Sequence, residues 1–339
     1  MDRLLSVSSS PKVSIGIPVY NGAKTLARTI EAAINQDYGN LEIIISDNCS
    51  TDETQMIAEN YQVKDPRIKY VRQEKNFGMT ANFTKVFEYS TGEFFMWAAH
   101  DDQHAPTFIS SCLPYLLKDT QAGLCVPKTQ AIFRNQVDWI SSMKTFSGID
   151  TRVKLFRETL RHFPAVGMYG LYRSAVIQKT DLWKNFLGAD LVFIQSLSLH
   201  GNIVTSDEIL FSYSERETWN TLNQDYANIF CSPKKPWFYS PFLVVLGNQI
   251  LIIIKSENNL LSKVKLLGVL ITYQIGQVIQ KVILKLLRRI IPQKYKVLMV
   301  SRFYWKYMHN PNVEVVNMAT FIESNLLPMV GLRPNMQDN

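Results

Sequence analysis

Apolar residues in the first half of the chain fall into two alternating patterns. Short unbroken apolar runs predict buried strands over residues 13–18, 41–46, 68–71 and 94–101. Between these runs, apolar residues recur every three or four positions and predict amphipathic helices around residues 26–34, 55–61 and 80–89. Strands that alternate with helices at this spacing predict an α/β fold with a doubly wound, mostly parallel sheet.

The second half of the chain has a less regular pattern. The spacing of apolar residues predicts helices over residues 108–117, 152–163 and 188–199. Short runs rich in β-branched and aromatic residues predict strands over residues 122–126, 203–204 and 210–213.

Composition is typical of a globular protein, with 46% hydrophobic residues among 339. Cys49, Cys112, Cys125 and Cys231 form no CxxC pair, which favours a reducing compartment. No apolar stretch near the start is typical of a secretory signal, and the most apolar run, residues 242–254, is too short to span a membrane. We therefore expect a cytoplasmic protein.

Acidic side chains follow two of the predicted strands. Asp47 comes just after the second strand, and Asp101 and Asp102 follow the fourth. Because the carboxyl ends of parallel strands meet at one edge of a sheet, these side chains are expected to face the same crevice. Carboxylate oxygens suit Mg²⁺ or Mn²⁺, so Asp101 and Asp102 are candidate metal ligands. The alternative is a solvated loop in which Asp102 caps the next helix.

Several nucleotide and hydrolase motifs are absent from the sequence. It contains no GxGxxG, GxxxxGK[ST], HExxH or GxSxG, which disfavours a dinucleotide-binding Rossmann site, a P-loop NTPase and the corresponding hydrolases.

Residues 12 to about 216 resemble a family 2 glycosyltransferase with the GT-A fold. The resemblance is carried by a series of short motifs in a fixed order: Ile17-Pro18-Val19-Tyr20-Asn21, Ser46-Asp47-Asn48-Cys49-Ser50-Thr51-Asp52, Asn76-x-Gly78 with Asn82, Asp101-Asp102 with Pro106, Gly188-Ala189-Asp190, and Tyr213-x-x-Arg216. It implies an inverting transfer of a sugar from a nucleotide diphosphate donor, with UDP as the favoured nucleotide, to an acceptor hydroxyl in surface polysaccharide or glycolipid synthesis.

The resemblance also implies roles for individual residues. Asp47 would hydrogen-bond the base, Asp101 would bind the metal, and Asp190 would be the general base. The other residues expected to bind the nucleotide sugar are Pro18, Val19, Tyr20, Asn21, Asp52, Asn76, Gly78 and Asn82. The family usually has a further Asp shortly before Asp101, where this chain has Ala99 and His100.

Each of these residues has a plainer interpretation as well. Asp190 would complement a helix dipole, and Asp52 would cap a helix. Three tryptophans and two arginines near the expected site would stack on sugars or bind phosphate, or else belong to the core and to surface ion pairs: Trp183, Trp219, Trp237, Arg173 and Arg216.

The resemblance divides the chain into four parts. Residues 1–11 are expected to be a flexible tail, residues 12–110 the nucleotide-sugar-binding half of a GT-A domain, and residues 111–230 its acceptor-binding half. Residues 231–339 are expected to be a helical, basic C-terminal region.

Two other functions are compatible with the sequence. One is a nucleotidyltransferase that makes activated sugars, although Tyr20-Asn21-Gly22 is a poor version of the Gly-rich loop of those enzymes. The other is a non-catalytic protein that binds nucleotide sugars, which the missing family Asp suggests.

The net charge of +7 is concentrated near the C-terminus. Residues 241–300 contain nine Lys and Arg residues and a single acid, Glu257, a pattern found in nucleic-acid-binding proteins and in membrane-surface helices. From Lys263 to Arg289, one helical face is apolar and another becomes basic. Because family acceptors are often lipid-linked, we expect peripheral attachment to the cytoplasmic face of an anionic membrane and no nucleic-acid partner. The alternatives are a helix packed on the catalytic domain and a dimer interface.

Overall fold

The structure, a computed structural model, describes residues 10–100, 103–133, 136–141, 151–162, 165–214, 226–227, 229–231, 236, 239–290 and 313–315. Its strands are β1 (Val13–Val19), β2 (Leu41–Asp47), β3 (Ile68–Arg72), β4 (Phe94–Trp97), β5 (Gln103–His104), β6 (Ala122–Phe133), β7 (Gln136–Ser141), β8 (Leu171–Arg173), β9 (Asn202–Ser214) and β10 (Val313–Val315). Its α-helices are α1 (Leu26–Ile34), α2 (Thr54–Lys64), α3 (Met79–Glu88), α4 (Phe108–Lys118), α5 (Arg152–His162), α6 (Ser174–Ile177), α7 (Ala189–His200), α8 (Pro241–Lys255) and α9 (Leu260–Ile290).

A single mixed sheet organises the fold, in the order β10-β7-β6-β8-β4-β1-β2-β3. The strands β4, β1, β2 and β3 are mutually parallel, and β8 joins this half to β6 through antiparallel pairs. Strand β9 pairs parallel to β6 and antiparallel to the short β5. The predicted α/β fold with a helical C-terminal extension is therefore confirmed.

Strand β1 extends one residue beyond Pro18, which we expected to end it. The alternation of a strand points the N–H and C=O of Gly16 toward β4, where Gly16 O accepts from Ala98 N. Pro18 points to the same side, but the β4 ladder stops at the pair Gly16–Trp97. The missing N–H of proline thus removes no ladder bond.

The structure also corrects two expected strand boundaries. Strand β4 ends at Trp97 and does not reach residue 101. Residues 203–204 and 210–213 belong to one strand, β9, because β6 pairs with it on both sides of the polar residues 206–208, across two register shifts. Exposure of Asp207 and Glu208 explains the polar sequence there.

The C-terminal helices pack on the sheet domain through one face. Ile252 and Ile253 of α8 and Leu266 and Leu270 of α9 are buried in one cluster with side chains of α5 and α7, including Phe156. A chain of side-chain amides crosses the same contact, from the buried Gln195 of α7 through the buried Gln249 of α8 to the half-buried Gln274 of α9 (3.0 and 2.8 Å). Within the described residues, no helix combines the length and apolar character needed to cross a membrane.

A half-buried carboxylate, Glu42, links the amino-terminal ends of β1, β2 and β4, at the sheet edge opposite their carboxyl ends. Glu42 accepts hydrogen bonds from the Ser14 hydroxyl and from both the N–H (2.5 Å) and hydroxyl (2.8 Å) of Thr91, and it pairs with Lys12 (2.7 Å). Burial acts to raise the pKa of Glu42, but the bonds from Lys12, Ser14 and Thr91 outweigh it and lower the pKa to about 2.

We predict that this network makes stability pH-dependent. A folded-state pKa below the unfolded value contributes stability above the unfolded pKa, and that contribution is lost as pH falls through the folded pKa. Replacing Glu42 by Gln should lower the free energy of unfolding at pH 7 by roughly 2–3 kcal/mol. The difference from wild type should shrink as pH falls from about 4.5 toward 2 in urea titrations. The exposed helical Glu59→Gln is the matched control, and an equal loss in both variants would contradict the prediction.

Candidate active site at the carboxyl edge of the sheet

The loops that follow β1, β2 and β4 meet at one edge of the sheet. Pairing in register places Val19 beside Asp47, and the backbone N–H of Asn48 donates to the Val19 carbonyl (2.9 Å). Beyond β4, the N–H of Ala98 donates to Gly16 O (2.8 Å), which brings residues 98–100 next to the same edge. These loops therefore meet where parallel strands end, which is the edge at which the sequence predicts a crevice.

The loops after β1 and β2 are tied together by a set of side-chain bonds. Asn21 has a left-handed backbone (φ 51°), its N–H donates to Ser50 Oγ (2.9 Å), and its Oδ1 accepts from Thr51 N (2.8 Å). Gly22 N donates to Thr54 Oγ1 (2.9 Å). A Cβ on Gly22 would lie 2.5 Å from a methyl of Val19, so this close approach requires glycine. These two loops would therefore lose little conformational entropy when a ligand binds.

Asp52 completes this lock between the two loops. Its Oδ2 accepts from Ala23 N (3.0 Å), and its Oδ1 accepts from the N–H (3.1 Å) and hydroxyl of Thr54 at the start of α2. Burial acts to raise the pKa of Asp52, but these hydrogen bonds outweigh burial and lower the pKa. Asp52 thus holds a helix start, as its plainer interpretation expects, and fixes the first loop as well.

Asp47 is a fully buried carboxylate whose two oxygens are both occupied. Oδ1 accepts from the N–H (2.8 Å) and hydroxyl (2.5 Å) of Ser50, and Oδ2 accepts from the Tyr70 hydroxyl (2.7 Å) and Arg72 Nη1 (3.1 Å). Burial and the bond to Asp47 raise the pKa of Tyr70. A hydrogen bond from Asp47 to a nucleotide base would require one of these donors to move aside, since four partners fill a carboxylate.

Three asparagines connect the strand ends to α3. Asn82, which is buried, donates to the carbonyls of Val19 (3.2 Å) and Ser46 (2.9 Å) and accepts from the Ser46 hydroxyl (2.7 Å). Asn48 Nδ2 donates to Asn76 Oδ1 (2.8 Å), which also accepts from Gly78 N (2.8 Å). The predicted residues Asn76, Gly78 and Asn82 therefore lie together at the edge and shape it through internal bonds.

Tyr20 is an exposed aromatic side chain among the predicted donor-site residues. Pro18 and Val19 are buried beneath the edge, whereas Tyr20 is 43% exposed at the start of the first loop. An exposed ring beside rigid backbone is available to stack on a planar ligand.

The residues at the end of β4 are only partly described. His100 Nδ1 lies 2.9 Å from Thr25 Oγ1, and its carbonyl accepts from the Thr29 hydroxyl (3.0 Å), so this histidine is tied to α1. Asp101 and Asp102 lie outside the described residues. Within the residues that are described, no group of three His, Cys, Asp and Glu side chains is placed to hold a metal ion. The two carboxylates remain the predicted metal ligands.

Asp190 lies half-buried in the first turn of α7, after Gly188 with a left-handed backbone (φ 88°). Burial raises the pKa of Asp190, although its own N–H and that of Leu191 act to lower it. The segment before α7 contacts the start of α3, because Thr80 Oγ1 donates to Asn185 Oδ1 (2.8 Å). The structure therefore places Asp190 on a helix whose preceding segment contacts α3 just after the Asn76–Gly78 turn.

Other candidates lie in the core or away from the edge. Trp183 is 6% exposed and stacks on Phe83 at 4.5 Å, so it is a core residue. Arg173 pairs in register with Phe94, at the amino end of β4, and donates to the carbonyls of Leu116 (2.6 Å) and Ala122 (3.1 Å). A phosphate contact by Arg173 at this edge is therefore wrong. Trp219, Trp237 and Arg216 lie outside the described residues.

Sequence reasoning missed the supporting polar residues. Arg72 donates to Asp47 and to the Ser50 carbonyl (2.9 Å), and Thr54 receives Gly22 N. The signal was present in the strand ends, because the parallel register places Arg72 opposite Asp47.

Comparison with known proteins agrees with this geometry. Residues 14–180 match the family model of glycosyl transferase family 2. Over 114 residues the chain is 33% identical to the GalNAc(5)-diNAcBac-PP-undecaprenol beta-1,3-glucosyltransferase of Campylobacter jejuni, covering 33% of this chain and 36% of that enzyme. Over 214 residues it is 28% identical to the uncharacterized glycosyltransferase YibD of Escherichia coli, covering 61% of this chain and 58% of that protein. The match thus spans well under two thirds of the length of either relative.

Solved structures agree on the fold. S. aureus TarS 1–349 in complex with UDP-GlcNAc superimposes with a TM-score of 0.57 at 18% identity, covering 78% of this chain and 73% of that one. At this identity the likeness concerns the fold alone, and it confirms the expected GT-A-like architecture. The match over residues 14–180, together with the sheet order and the strand-end loops, identifies this part of the chain as a family 2 glycosyltransferase domain.

Proposed function

We propose that the protein is an inverting glycosyltransferase that moves a sugar from a nucleotide diphosphate donor, with UDP-sugar favoured, to an acceptor hydroxyl. The observation that carries the proposal is a half-buried carboxylate, Asp190, in the first turn of a helix whose preceding segment contacts α3 beside the rigid loop edge. Such an edge fits a ligand that must be held in one orientation while a bond breaks.

The donor would lie along the loops after β1 and β2. Tyr20 is the exposed surface for a base or sugar, and backbone groups around Asn21 and Gly78 are fixed by the bonds described above. Asp47 would act on the base only if Tyr70 or Arg72 leaves Oδ2. Arg72 also donates to the Ser50 carbonyl and so helps to position the loop.

Asp190 would remove the acceptor proton. In an inverting transfer, the acceptor oxygen bonds to the anomeric carbon on the face opposite the leaving diphosphate, and the proton passes to a base within hydrogen-bond reach. A raised pKa makes a carboxylate a stronger base, because the ideal catalytic pKa lies nearer the operating pH.

Asp101 and Asp102 would hold Mg²⁺ or Mn²⁺. Two adjacent carboxylates directly after a parallel strand offer the hard oxygen ligands that these ions prefer. A bound divalent ion would stabilise the charge of the leaving diphosphate. His100 is not free to serve as a third ligand through Nδ1, since Thr25 occupies that nitrogen.

The acceptor would be a surface glycan or a lipid-linked glycan. The Campylobacter relative is named for an undecaprenol-linked substrate, which supports a lipid-linked acceptor here. The basic C-terminal segment and exposed apolar residues of α9 support peripheral attachment to the cytoplasmic face of an anionic membrane, among them Val264, Ile271, Ile275 and Val278.

A donor panel tests the function. Incubating the protein with UDP-, GDP- and dTDP-sugars, an extracted lipid-linked acceptor fraction and Mn²⁺ should release nucleoside diphosphate from one of them. Chelator should abolish release, as should Asp101→Ala, while the exposed Asp207→Ala should not. Pyrophosphate formation would instead identify a nucleotidyltransferase, and saturable binding without turnover would identify a binding protein.

Another prediction concerns Asp190→Asn, which keeps the shape of the side chain and removes its basicity. Turnover should fall on the order of 10²- to 10⁴-fold, while the thermal shift caused by UDP stays near that of wild type. Because the base must be deprotonated, the wild-type rate should decline as pH falls through the raised pKa of Asp190. Wild-type turnover in the variant, or an unchanged acid limb in its residual activity, would refute the role.

Flotation with vesicles tests the membrane attachment. The wild type should float with anionic vesicles at low salt, and reversing Lys281, Lys285, Arg288 and Arg289 to Glu should release it. Reversing the exposed lysines of the sheet domain changes net charge equally and should leave flotation intact: Lys64, Lys69, Lys118 and Lys154. A wild type that stays in the pellet fraction rules out attachment.

A further inference from the structure

A basic cleft of about 440 Å³ lies between α5 and α9, apart from the loop edge. Its cationic lining consists of Arg157 and Arg161 from α5 and Lys265 from α9. Its other lining residues are Val153, Leu160, Gly268, Val269, Thr272 and Tyr273. This volume is large enough for a phosphate group with part of its substituent.

The charge of the cleft is not balanced within the fold. No acidic side chain lines it, and within the described part of the chain none pairs with Arg157, Arg161 or Lys265. The adjacent Glu158 pairs with His162 at 3.5 Å. Three cations on two facing helices therefore create a positive potential that an anion would relieve.

Hydrogen-bond donors accompany the cations. Tyr273 is half-buried, and burial raises its pKa while the charge of Arg161 opposes that rise, so the phenol stays protonated beside a guanidinium. The Thr272 hydroxyl also lines the cleft, but it donates to the Gly268 carbonyl (2.8 Å), so the Tyr273 phenol is the neutral donor there. Guanidinium, ammonium and phenol groups together match the several oxygens of a phosphate.

An exposed apolar surface continues from the cleft along α9. Val264 is 58% exposed, Ile271 57% and Ile275 54%, and they flank the turns that carry Lys265 and Thr272. A free inorganic anion would gain nothing from these side chains. An anion attached to a hydrocarbon chain would bury apolar area on them.

The cleft also has a defined relation to the proposed active site. Arg152, at the start of α5, donates to Asn202 (2.9 Å) just beyond the end of α7, and the two helices pack together. From Arg152, α5 runs alongside α7 toward its start, and the nine residues to Arg161 span about 13 Å. Arg161 thus lies toward the end of α7 that bears Asp190.

From this geometry we propose that the cleft binds the phosphate group of an anionic lipid, whose hydrocarbon chain lies along the exposed apolar side of α9. Arg157, Arg161 and Lys265 contact the phosphate oxygens. The proposal rests on the membrane attachment put forward above, because it identifies the headgroup that α5 and α9 recognise at the surface.

Calorimetry with monomeric short-chain lipids tests the proposal without a membrane. The full chain should bind dihexanoylphosphatidic acid below its micelle concentration at one site, and bind dihexanoylphosphatidylcholine and inorganic phosphate at least tenfold more weakly. Arg161→Gln and Lys265→Gln should each weaken the phosphatidic acid about fivefold, since each basic residue near anionic lipid contributes about 1 kcal/mol. The control pair Lys154→Gln and Lys263→Gln removes the same charges from the same helices outside the cleft.

Each outcome of this experiment bears on the proposal. Equal affinity for inorganic phosphate and the lipid overturns the lipid assignment, and equal affinity for the choline lipid overturns recognition of charge. Loss of binding in the control pair alone, or no binding by the wild type, overturns the site. The UDP thermal shift, measured in every variant, should not change, so a failed cleft proposal is distinguishable from a failed glycosyltransferase proposal.

Discussion

The buried carboxylate of Asp47 is the constraint on which the loop edge depends. A carboxyl group with no exposure must find hydrogen-bond partners for both of its oxygens, or its desolvation is not offset. Ser50 supplies two of these donors, and Tyr70 and Arg72 of β3 supply the others. Ser50 Oγ accepts from Asn21 in turn, so satisfying one carboxylate at the end of β2 also fixes the loop after β1. Rigidity at this edge is therefore a consequence of electrostatics inside the sheet.

The two sides of the proposed site are built differently. On the donor side, short polar residues connect backbone to backbone, and Asn82 alone joins the carbonyls of Val19 and Ser46. On the other side, Asp190 is carried by the first turn of a helix whose position follows from core packing and from the contact between Asn185 and Thr80. A rigid donor side and a helix-borne base fit a reaction in which one substrate must be held and the other must be activated.

The fold was accessible from sequence because its strands are buried on both faces. A continuous apolar run such as residues 41–46 predicts a buried strand. The polar residues that follow such a run mark the carboxyl edge of the sheet. The strand boundaries at Pro18 and in the polar middle of β9 were predicted wrongly. They depend on where a neighbouring strand ends or bulges, and residues distant in the sequence decide this. Arg173 was misplaced for the same reason, since antiparallel pairing of β8 with β4 carries it to the opposite edge. The spacing of apolar residues along the chain does not predict whether a strand pairs parallel or antiparallel to its neighbour.

Helix α9 shows why the apolar pattern near the C-terminus is compatible both with packing on the domain and with attachment to a membrane. One set of its apolar side chains, including Leu266 and Leu270, is buried against α5 and α8, whereas Val264, Ile271 and Ile275 are exposed on another side. Packing on the domain and attachment to a surface are therefore compatible properties of one helix. The side-chain amides of Gln195, Gln249 and Gln274 bond in series across α7, α8 and α9. Such a series tolerates little sliding of the helices, because each amide would lose its partner. With that register fixed, the exposed side of α9 and the start of α7 keep a constant separation. On the proposed attachment, that separation sets the height of Asp190 above the membrane, and a lipid-linked acceptor must present its hydroxyl at that height.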